Sequence, residues 1–326
     1  MKKKKINYGI IGAGHIGKYH IQQIQNISDV NLLGIFDTSK KQCKKVARDL
    51  KTKSYDDINR LLKECDAVSI ATPARAHYET AKQALKSNCH LFIEKPLTTD
   101  LKEAENLITL SKQYKLLIQV GHIERFNPAI ADFIKKQATC NPLFIETHRL
   151  SPFNIRGTDV DVVLDLMIHD IDLVLYLANA SIKNIFASGV SVLSSSLDLV
   201  NARISFDSGC VANLTASRIS DEPLRKLRLF EKNKYFSFDL QNHTYSEYVV
   251  QKRNKVLNNA NHVFEVDNKI VTMENHIVKK ENALYQELVS FINSIKNSQK
   301  VLVDAIEGKK AVEVALLIKQ KINEKK

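Results

Sequence analysis

The sequence predicts an α/β protein in which a doubly wound parallel sheet is followed by a second domain built on an antiparallel or mixed sheet. Two patterns lead to this fold class. The first 120 residues alternate short apolar runs with helical patterns, as parallel strands joined by helices do. After about Ile123, strand patterns follow one another without helices between them, which indicates antiparallel or mixed pairing. The predicted domains are therefore residues 1–122 and 123–326.

The first domain contains five apolar runs with strand character and five helical patterns between them. The predicted strands are Ile6–Ile11, Asn31–Phe36, Asp66–Ala71, His90–Ile93 and Leu116–Val120. The predicted helices are Ile16–Gln25, Lys40–Leu50, Asp56–Lys63, Tyr78–Lys86 and Leu101–Tyr114. Asp100 is placed to cap the last helix, with Glu103 three residues on as its capping-box partner.

The second domain opens with one long apolar helix, predicted at Val160–Leu177. Strand patterns follow at Ile182–Leu193, Leu197–Phe206, Cys210–Ser217, Leu224–Phe230, Tyr235–Leu240 and His262–Val266. Two helices close the chain, near Glu281–Asn297 and Ala305–Ile322. A succession of strands between helices at either end is typical of an α+β domain.

Composition excludes several classes of protein. The hydrophobic share of 44% is typical of globular proteins and too high for a disordered chain. No apolar stretch reaches the 18 residues or so that a membrane-spanning helix needs, and the basic start lacks the features of a signal peptide, so we expect a cytoplasmic protein. The five cysteines form no C-x-x-C pair, which argues against a zinc ribbon or a disulfide framework.

The formal net charge of +12 raises the question of nucleic-acid binding. Much of the excess lies near the chain ends, in Lys2 to Lys5 and in Lys319, Lys321, Lys325 and Lys326. The sequence also lacks the aromatic-basic motif of an RNA-binding sheet, so we expect no nucleic-acid partner. A basic surface would equally attract a small anionic substrate such as a phosphate or a nucleotide sugar.

The first strand runs directly into the sequence G-x-G-x-x-G, which then opens a helix. Gly12 permits a tight turn, Gly14 lets the backbone approach a pyrophosphate, and Gly17 lets helix and strand pack closely. The helix N-terminus, with His15 and Ile16, supplies N–H groups to the phosphates. Four of the ten glycines of the chain fall between residues 9 and 17, so chance placement is a poor explanation. The motif predicts a dinucleotide-binding Rossmann domain.

An acidic residue follows at the distance that this motif requires. Asp37 ends the second predicted strand, 20 residues after Gly17, where a carboxylate would bind the ribose 2′-hydroxyl of the adenosine. A carboxylate there repels a 2′-phosphate, so NAD is favoured over NADP. Lys40 and Lys41 lie nearby and keep NADP open as an alternative.

Other candidate site residues follow the later strands. Ligands of open parallel sheets bind at the carboxyl ends of the strands, so residues that follow those strands are expected to line the cofactor crevice. These residues are Thr72, Pro73, His77, Glu94 and Lys95. An ordinary solvated lysine is the plain alternative for Lys95, and its position between a strand and a helix argues against it.

At this point the sequence resembles the glucose–fructose oxidoreductase/inositol dehydrogenase (Gfo/Idh/MocA) family. The strings that carry the resemblance are ATPARAHYETAKQALKSNCHLFIEKPL, GHIERFNPA and DLMIHDID, together with the glycine loop. The resemblance implies a Rossmann domain followed by a domain with an open, mostly antiparallel sheet that often builds a homodimer or homotetramer. The strings GHIERFNPA and VVLDLMIHDIDLVL are most similar to a branch that oxidises C3 of UDP-N-acetylhexosamines. An inositol or free-sugar dehydrogenase is the alternative within the family.

The resemblance also implies catalytic residues. Lys95, Asp165 and His169 match the active-site lysine, aspartate and histidine of the family. Many members carry a glycine cluster just before the aspartate, whereas this chain has Asp161-Val162-Val163-Leu164, which puts the shape of the substrate pocket in doubt. We expect His169 to take the hydroxyl proton, Asp165 to orient its ring and Lys95 to donate to the substrate oxygen; the roles of Lys95 and His169 could be exchanged.

The residues themselves support this transfer. Asp165, His169 and Asp172 have the spacing i, i+4, i+7, which places them on one face of a helix that is otherwise almost entirely apolar. Ionisable groups on a buried helix rarely lack a partner or a purpose. An internal Asp–His hydrogen bond is one alternative, and a metal site formed with His77 or His122 is another, although hydride transfer to a nicotinamide needs no metal.

Arginines near these motifs are candidates for the substrate site. Arg125, Arg149 and Arg156 suit a diphosphate because the guanidinium group can bind phosphate in a bidentate manner, and Asp172 is a further candidate for substrate binding. Surface arginines without a ligand are the equal alternative. A non-catalytic NAD-binding regulator on the same fold also remains open, since fold does not fix function.

Overall fold

A computed structural model describes residues 5–137, 140–153, 161–252 and 261–324 of the chain. The chain forms two compact units. The first contains Met1–Ile123 and Asn282–Glu313, and the second contains Glu124–Glu281 and Val314–Lys326. The sequence predicted a single domain boundary at 122/123. It did not predict that residues 282–313 also belong to the first unit.

The first unit is built on a six-stranded parallel sheet. Its strands are β1 (Ile6–Ile11), β2 (Val30–Phe36), β3 (Ser54–Tyr55), β4 (Ala67–Ile70), β5 (His90–Glu94) and β6 (Ile118–Gly121). The strand order is β3-β2-β1-β4-β5-β6, which is the order of a Rossmann fold. The doubly wound parallel sheet is thus confirmed. β3 was not predicted from the sequence, because two residues are too few to form a periodic pattern.

The helices that connect these strands begin and end within two residues of the predicted positions. They are α1 (His15–Ile24), α2 (Lys40–Asp49), α3 (Ile58–Glu64), α4 (His77–Lys86) and α5 (Leu101–Tyr114). The side chain of Asp100 caps α5, as predicted, by accepting from the backbone N–H groups of Lys102 and Glu103 at 2.8 and 3.2 Å. Capping satisfies N–H groups that the helix leaves unpaired.

A late helix completes the core of the first unit. Helix α8 (Ala283–Asn297) buries Leu288, Phe291 and Ile292 against the side chains that line β1 and β2. The rings of Phe291 and Phe92 meet edge to face, with centroids 6.0 Å apart. Burying such apolar side chains contributes about 1.5–3 kcal/mol each, which explains why this distant segment belongs to the first unit.

The second unit is built on a nine-stranded sheet. The strands are β7 (Phe144–Leu150), β8 (Ile182–Val190), β9 (Leu199–Phe206), β10 (Val211–Ser217), β11 (Leu224–Glu231), β12 (Lys234–Asp239), β13 (Thr244–Lys252), β14 (Asn261–Val266) and β15 (Lys269–Ile277). The order is β14-β15-β13-β12-β11-β7-β10-β9-β8, and only β7 and β10 pair in parallel. The predicted mostly antiparallel sheet is confirmed.

Helical segments accompany this sheet. They are α6 (Pro128–Lys136), a π-helical turn (Val163–Met167), α7 (Ile168–Ala178) and the last part of α9 (Ala305–Asn323). The predicted apolar helix is thus present, with a π turn in its first half. Pattern analysis did not predict α6, β7, β13 or β15. Among the described residues, no helix combines the length and the apolar character that a bilayer crossing demands.

Candidate functional site

The glycine loop has the geometry that its sequence predicts. Gly12 follows β1 with φ at +108°, a conformation that residues with side chains rarely adopt. A Cβ atom on Gly12 would overlap the carbonyl oxygen of Ala71, and one on Gly17 would overlap the carbonyl oxygen of Gly12. Both glycines are therefore required by the fold itself, because side chains would push apart the segments that form the loop.

Gly14 differs from its two neighbours in the motif. Its φ of −71° suits any residue, and a Cβ atom there would meet no heavy atom of the residues that the structure describes within 4 Å. It caps α1 without a side-chain hydrogen bond, and the next two residues, His15 and Ile16, are exposed. No described residue requires glycine at position 14, so the open space before the helix N-terminus suits a ligand such as a pyrophosphate.

Asp37 links this loop to the end of β2. Its carboxylate accepts hydrogen bonds from the backbone N–H groups of Ala13 and Ser39, both at 2.7 Å. An ionised carboxylate has about four acceptor positions, so two remain for the hydroxyls of a ribose. Asp37 is therefore held in place and partly exposed where the sequence analysis expects the adenosine ribose.

The carboxyl end of β4 contributes Thr72 and Pro73. The hydroxyl oxygen of Thr72 is buried and has no hydrogen-bond partner among the described residues. Buried hydroxyls are normally satisfied, so this atom marks a place where a ligand or a water molecule would bind. Together with the open space at Gly14 and the fixed carboxylate of Asp37, it makes the first unit a good fit for a dinucleotide.

His77 has an indirect part in this site. It is 1% exposed, and its Nδ1 and Nε2 atoms lie 2.8 and 2.9 Å from the carbonyl oxygens of Pro96 and Thr72. Burial lowers the pKa of the ring, although both carbonyls act in the opposite direction. His77 thus connects the loop after β4 to the turn after β5, and its ring nitrogens face the protein backbone.

Glu94 and Lys95 lie at the carboxyl end of β5, and both are partly exposed. The carboxylate of Glu94 accepts from Nε2 of His20 at 2.8 Å. Burial alone would raise the pKa of Glu94, but the contacts with His20 and Lys95 outweigh it and leave the pKa below its ordinary value. Glu94 is therefore an ionised carboxylate beside the candidate catalytic lysine.

In the second unit, Asp165 and His169 lie on the segment that joins the π turn to α7. Both are partly exposed, whereas almost every other residue from Val162 to Val174 is buried. π-Helical turns occur often at functional sites because the extra residue changes which side chains share a face. The structure keeps Asp165 and His169 as candidates for proton transfer.

The remaining predicted residues of the second unit have a different environment. Arg125 pairs with Asp172 through two hydrogen bonds of 2.8 and 2.7 Å, and both side chains are almost completely buried. Arg149 pairs with Asp170 at 3.0 and 2.8 Å and with Glu124 at 2.9 Å. The guanidinium groups already face carboxylates, so these arginines are neither surface residues nor open phosphate ligands. Arg156 lies outside the described residues.

Burial and charge are balanced closely in this cluster. Burial would raise the pKa of Glu124, but the Arg149 guanidinium outweighs that effect and leaves the pKa below its ordinary value. For Asp170 burial prevails, and its pKa is raised despite the same arginine. One guanidinium thus serves two carboxylates, which is the kind of buried network that fails if any member is removed.

Sequence reasoning missed two groups of residues. His20 and Ser69 form hydrogen bonds behind Glu94, and Glu124 and Asp170 surround Arg149. One signal could have found His20, since it lies on the apolar face of α1 together with Gly17, Ile21 and Ile24. A polar residue on a buried face usually has a partner.

The structure also bears on the alternative of a metal site. Within the described part of the chain, the only three His, Cys, Asp or Glu side chains that could share one ion are Glu247, Glu274 and His276. This group includes none of the residues considered in that alternative. Lys234 already pairs with Glu247 at 3.1 Å, and the ammonium of Lys136 lies 3.3 Å from Nδ1 of His276.

Comparisons with known proteins agree with this geometry. Residues 6–122 match the family described as "Oxidoreductase family, NAD-binding Rossmann fold", and residues 146–231 match the GFO/IDH/MocA C-terminal domain. The chain is 35% identical over 317 residues to UDP-N-acetylglucosamine 3-dehydrogenase of Acidithiobacillus ferrooxidans, which covers 95% of each chain.

Two further comparisons extend this result. A solved structure of UDP-N-acetylglucosamine 3-dehydrogenase from Acidithiobacillus ferrooxidans has a TM-score of 0.89 at 34% identity and covers 98% of this chain and 97% of that one. Myo-inositol 2-dehydrogenase of Thermotoga maritima is 24% identical over 340 residues, which covers 98% of this chain and 96% of the relative.

Proposed function

The chain belongs to the Gfo/Idh/MocA family of oxidoreductases and is a dehydrogenase that acts on CH–OH groups; from this premise we propose that it oxidises C3 of a UDP-N-acetylhexosamine to a keto sugar nucleotide. One observation carries the choice of substrate, namely the 35% identity over 95% of both chains to a UDP-N-acetylglucosamine 3-dehydrogenase. The inositol-dehydrogenase alternative has the weaker support of 24% identity. A net charge of +12 also suits an anionic substrate.

We propose NAD rather than NADP as the cofactor. Gly12, Gly14 and Gly17 with the N-terminus of α1 would hold the pyrophosphate, and Asp37 would hold the adenosine ribose. Because the Asp37 carboxylate is fixed by two backbone N–H groups, it cannot easily turn away from a 2′-phosphate. Asp37→Ser should therefore raise the affinity for NADP relative to NAD, by roughly ten-fold or more, since like charges in contact cost several kcal/mol.

Each catalytic candidate would then have a separate task. Bound NAD would accept the hydride that leaves the carbinol carbon. His169 would take the hydroxyl proton, and Asp165 would hold its ring in the required tautomer and stabilise the charged form. Lys95 would donate to the substrate oxygen as negative charge develops on it. Proton and hydride leave the same alcohol, so the product is a ketone.

Arg125 and Arg149 are assigned differently from the sequence-based expectation. To bind a diphosphate they would have to leave Asp172, Asp170 and Glu124, and breaking a buried ion pair costs about 3–5 kcal/mol. We propose that these arginines stabilise the second unit.

We also propose that the chain forms a homodimer or homotetramer through the outer face of the nine-stranded sheet. Four aromatic residues form one row across β7, β11, β12 and β13: Phe144, Phe230, Tyr235 and Tyr248. The rings of Phe230 and Tyr235 are stacked, with their centroids 4.7 Å apart. All four are partly exposed. A row of aromatic side chains on an open face is typical of a protein interface. Light scattering of the wild type and of Tyr235→Lys tests this, and a wild-type monomer would contradict it.

The substrate is tested by NADH formation. The purified chain is incubated with NAD and, in turn, with UDP-N-acetylglucosamine, UDP-N-acetylgalactosamine, UDP-glucose, N-acetylglucosamine and myo-inositol. We expect turnover with the UDP-N-acetylhexosamines and little with the sugars that lack UDP. Preferred turnover of myo-inositol would establish the alternative instead, and tight NAD binding without any turnover would indicate a regulator.

A further inference from the structure

A chain of hydrogen bonds runs behind the carboxyl end of β5. The hydroxyl groups of Tyr8 and Ser69 are 2.8 Å apart, Ser69 Oγ lies 2.9 Å from Nδ1 of His20, and Nε2 of His20 lies 2.8 Å from Glu94. Tyr8, Ser69 and His20 are completely buried. This series of hydrogen bonds thus connects β1, β4 and α1 to the side chain of Glu94, which precedes Lys95.

The ionised Glu94 carboxylate fixes the donor at one end of this series of hydrogen bonds. Glu94 is an ionised carboxylate and can only accept, so Nε2 of His20 carries the proton. Nδ1 of His20 contacts the Ser69 hydroxyl, and the Ser69 and Tyr8 hydroxyls share a further hydrogen bond in which either can donate. Burial raises the pKa of Tyr8 well above its ordinary value, so Tyr8 remains a donor. The contacts with Glu94 and Ser69 therefore fix the orientation of the His20 ring.

The neighbouring strand leaves room for the Glu94 carboxylate. Gly121 of β6 pairs with Glu94, and a Cβ atom on Gly121 would lie 3.2 Å from the Glu94 carboxyl carbon. The Glu94 side chain is 19% exposed, so its charge reaches the end of the sheet where ligands of this fold bind. His20 and Gly121 thus define its position from two sides.

We propose that His20 is a positioning residue which holds Glu94 as a fixed negative charge, so that the site favours the oxidised form of the nicotinamide over the reduced form. This inference rests on the proposed use of NAD. It adds a residue of α1, outside the glycine motif, to those that determine how the cofactor binds.

The charges explain the preference. The nicotinamide ring is positively charged when oxidised and neutral when reduced. Lys95 alone would place a positive charge at the carboxyl end of β5 and would disfavour the oxidised ring. Glu94, the preceding residue, offsets that charge, and electrostatic interactions are stronger in a partly buried site than in water. Alcohol oxidation begins from the oxidised cofactor, so this preference fills the site with NAD and weakens the binding of the NADH product.

The test measures the dissociation constants of NAD and NADH separately, without substrate. In Glu94→Gln the ratio Kd(NAD)/Kd(NADH) should rise roughly ten-fold, because one unit of charge is lost at near-constant volume. His20→Leu, which lacks a donor, should raise the ratio by a smaller factor. His20→Gln should restore part of the difference, because its amide can donate to Glu94.

His90→Gln is the matched control, since His90 lies on the same strand and its Nδ1 accepts from the backbone N–H of Leu117. That variant should leave the ratio unchanged. An unchanged ratio in a Glu94→Gln protein with a native circular-dichroism spectrum overturns the inference. A shift in Glu94→Gln together with wild-type ratios in both His20 variants overturns the role of His20. Failure of the wild-type chain to bind NAD would refute the proposed function instead, whatever the variants do.

Discussion

Two sets of ionisable residues share one helical segment of the second unit and differ in their surroundings. Asp165 and His169 are partly exposed, whereas Asp170 and Asp172 are buried and paired with Arg149 and Arg125. Sequence spacing grouped Asp172 with the first set. The comparison shows that exposure, rather than spacing along the helix, distinguishes the two sets.

The physical reason lies in the cost of burying charge. Asp170 and Asp172 can be buried only because a guanidinium group replaces the water that each carboxylate loses. A carboxylate that is already neutralised in this way has little capacity to orient another group. Asp165 and His169 are partly exposed, as the proton transfer proposed for them requires.

The largest effect is expected at the exposed set. His169→Ala should lower kcat on the order of 10²–10⁴-fold, because the residue proposed to accept the hydroxyl proton is lost. The affinity for NAD, measured by fluorescence titration, should stay within a factor of about two, since the proposed cofactor residues lie in the first unit.

His148→Ala is the control for this variant, because His148 is also a partly exposed histidine of the second unit and lies on β7. It should leave kcat near the wild-type value. A collapse of NAD binding in His169→Ala would contradict the assignment of the cofactor residues to the first unit alone.

At the buried set, Asp170 and Asp172, the expected effect is on the stability of the protein rather than on kcat. Asp172→Leu should lower the free energy of unfolding by about 3–5 kcal/mol, because it leaves the Arg125 guanidinium buried without its carboxylate. Urea denaturation followed by circular dichroism measures this change. The double variant Arg125→Leu/Asp172→Leu should recover much of the loss, since neither charge remains. Equal stability of the single variant and the wild type would show that the pair contributes nothing.

The strands of the first unit could be predicted from the sequence more accurately than the strands of the second unit. In the first, the strands other than β3 are short apolar runs that alternate with helices, and the glycine loop marks the order, so five strands were placed within two residues. In the second, most residues of β13 and β15 are partly or fully exposed, and the alternation is weak. β7 alternates but was not recognised, because its inward residues include Thr147 and Arg149.

The candidate site shows the same limit. The glycines, Asp37 and Lys95 follow strands directly, and their places are predictable from local sequence. Arg125 and Asp172 are 47 positions apart, and Arg149 and Asp170 are 21 apart, so no local pattern predicts that they pair. The π turn adds a residue to the helix and alters the face that a period of 3.6 assigns to Asp165.

The glycine loop also contains one residue that the fold needs, Gly12, and one that a ligand would need, Gly14. Substitutions at these glycines are expected to have the smallest effects. Gly12→Ala should lower the free energy of unfolding by roughly 1–3 kcal/mol, because φ is +108° and the added methyl group would overlap Ala71. Gly14→Ala should leave stability unchanged or slightly raised, because its φ suits alanine and the surrounding space is empty.

The same Gly14→Ala variant should weaken NAD binding about ten-fold, since the methyl group would occupy space that a pyrophosphate needs. Thermal unfolding with and without NAD measures both quantities in one experiment, because bound cofactor raises Tm by an amount that grows with the logarithm of its affinity. Wild-type NAD affinity in Gly14→Ala would show that the pyrophosphate does not approach the backbone at this glycine. Glycine at position 14 would then be explained neither by the fold nor by the ligand, and the dinucleotide would have to bind elsewhere along the loop.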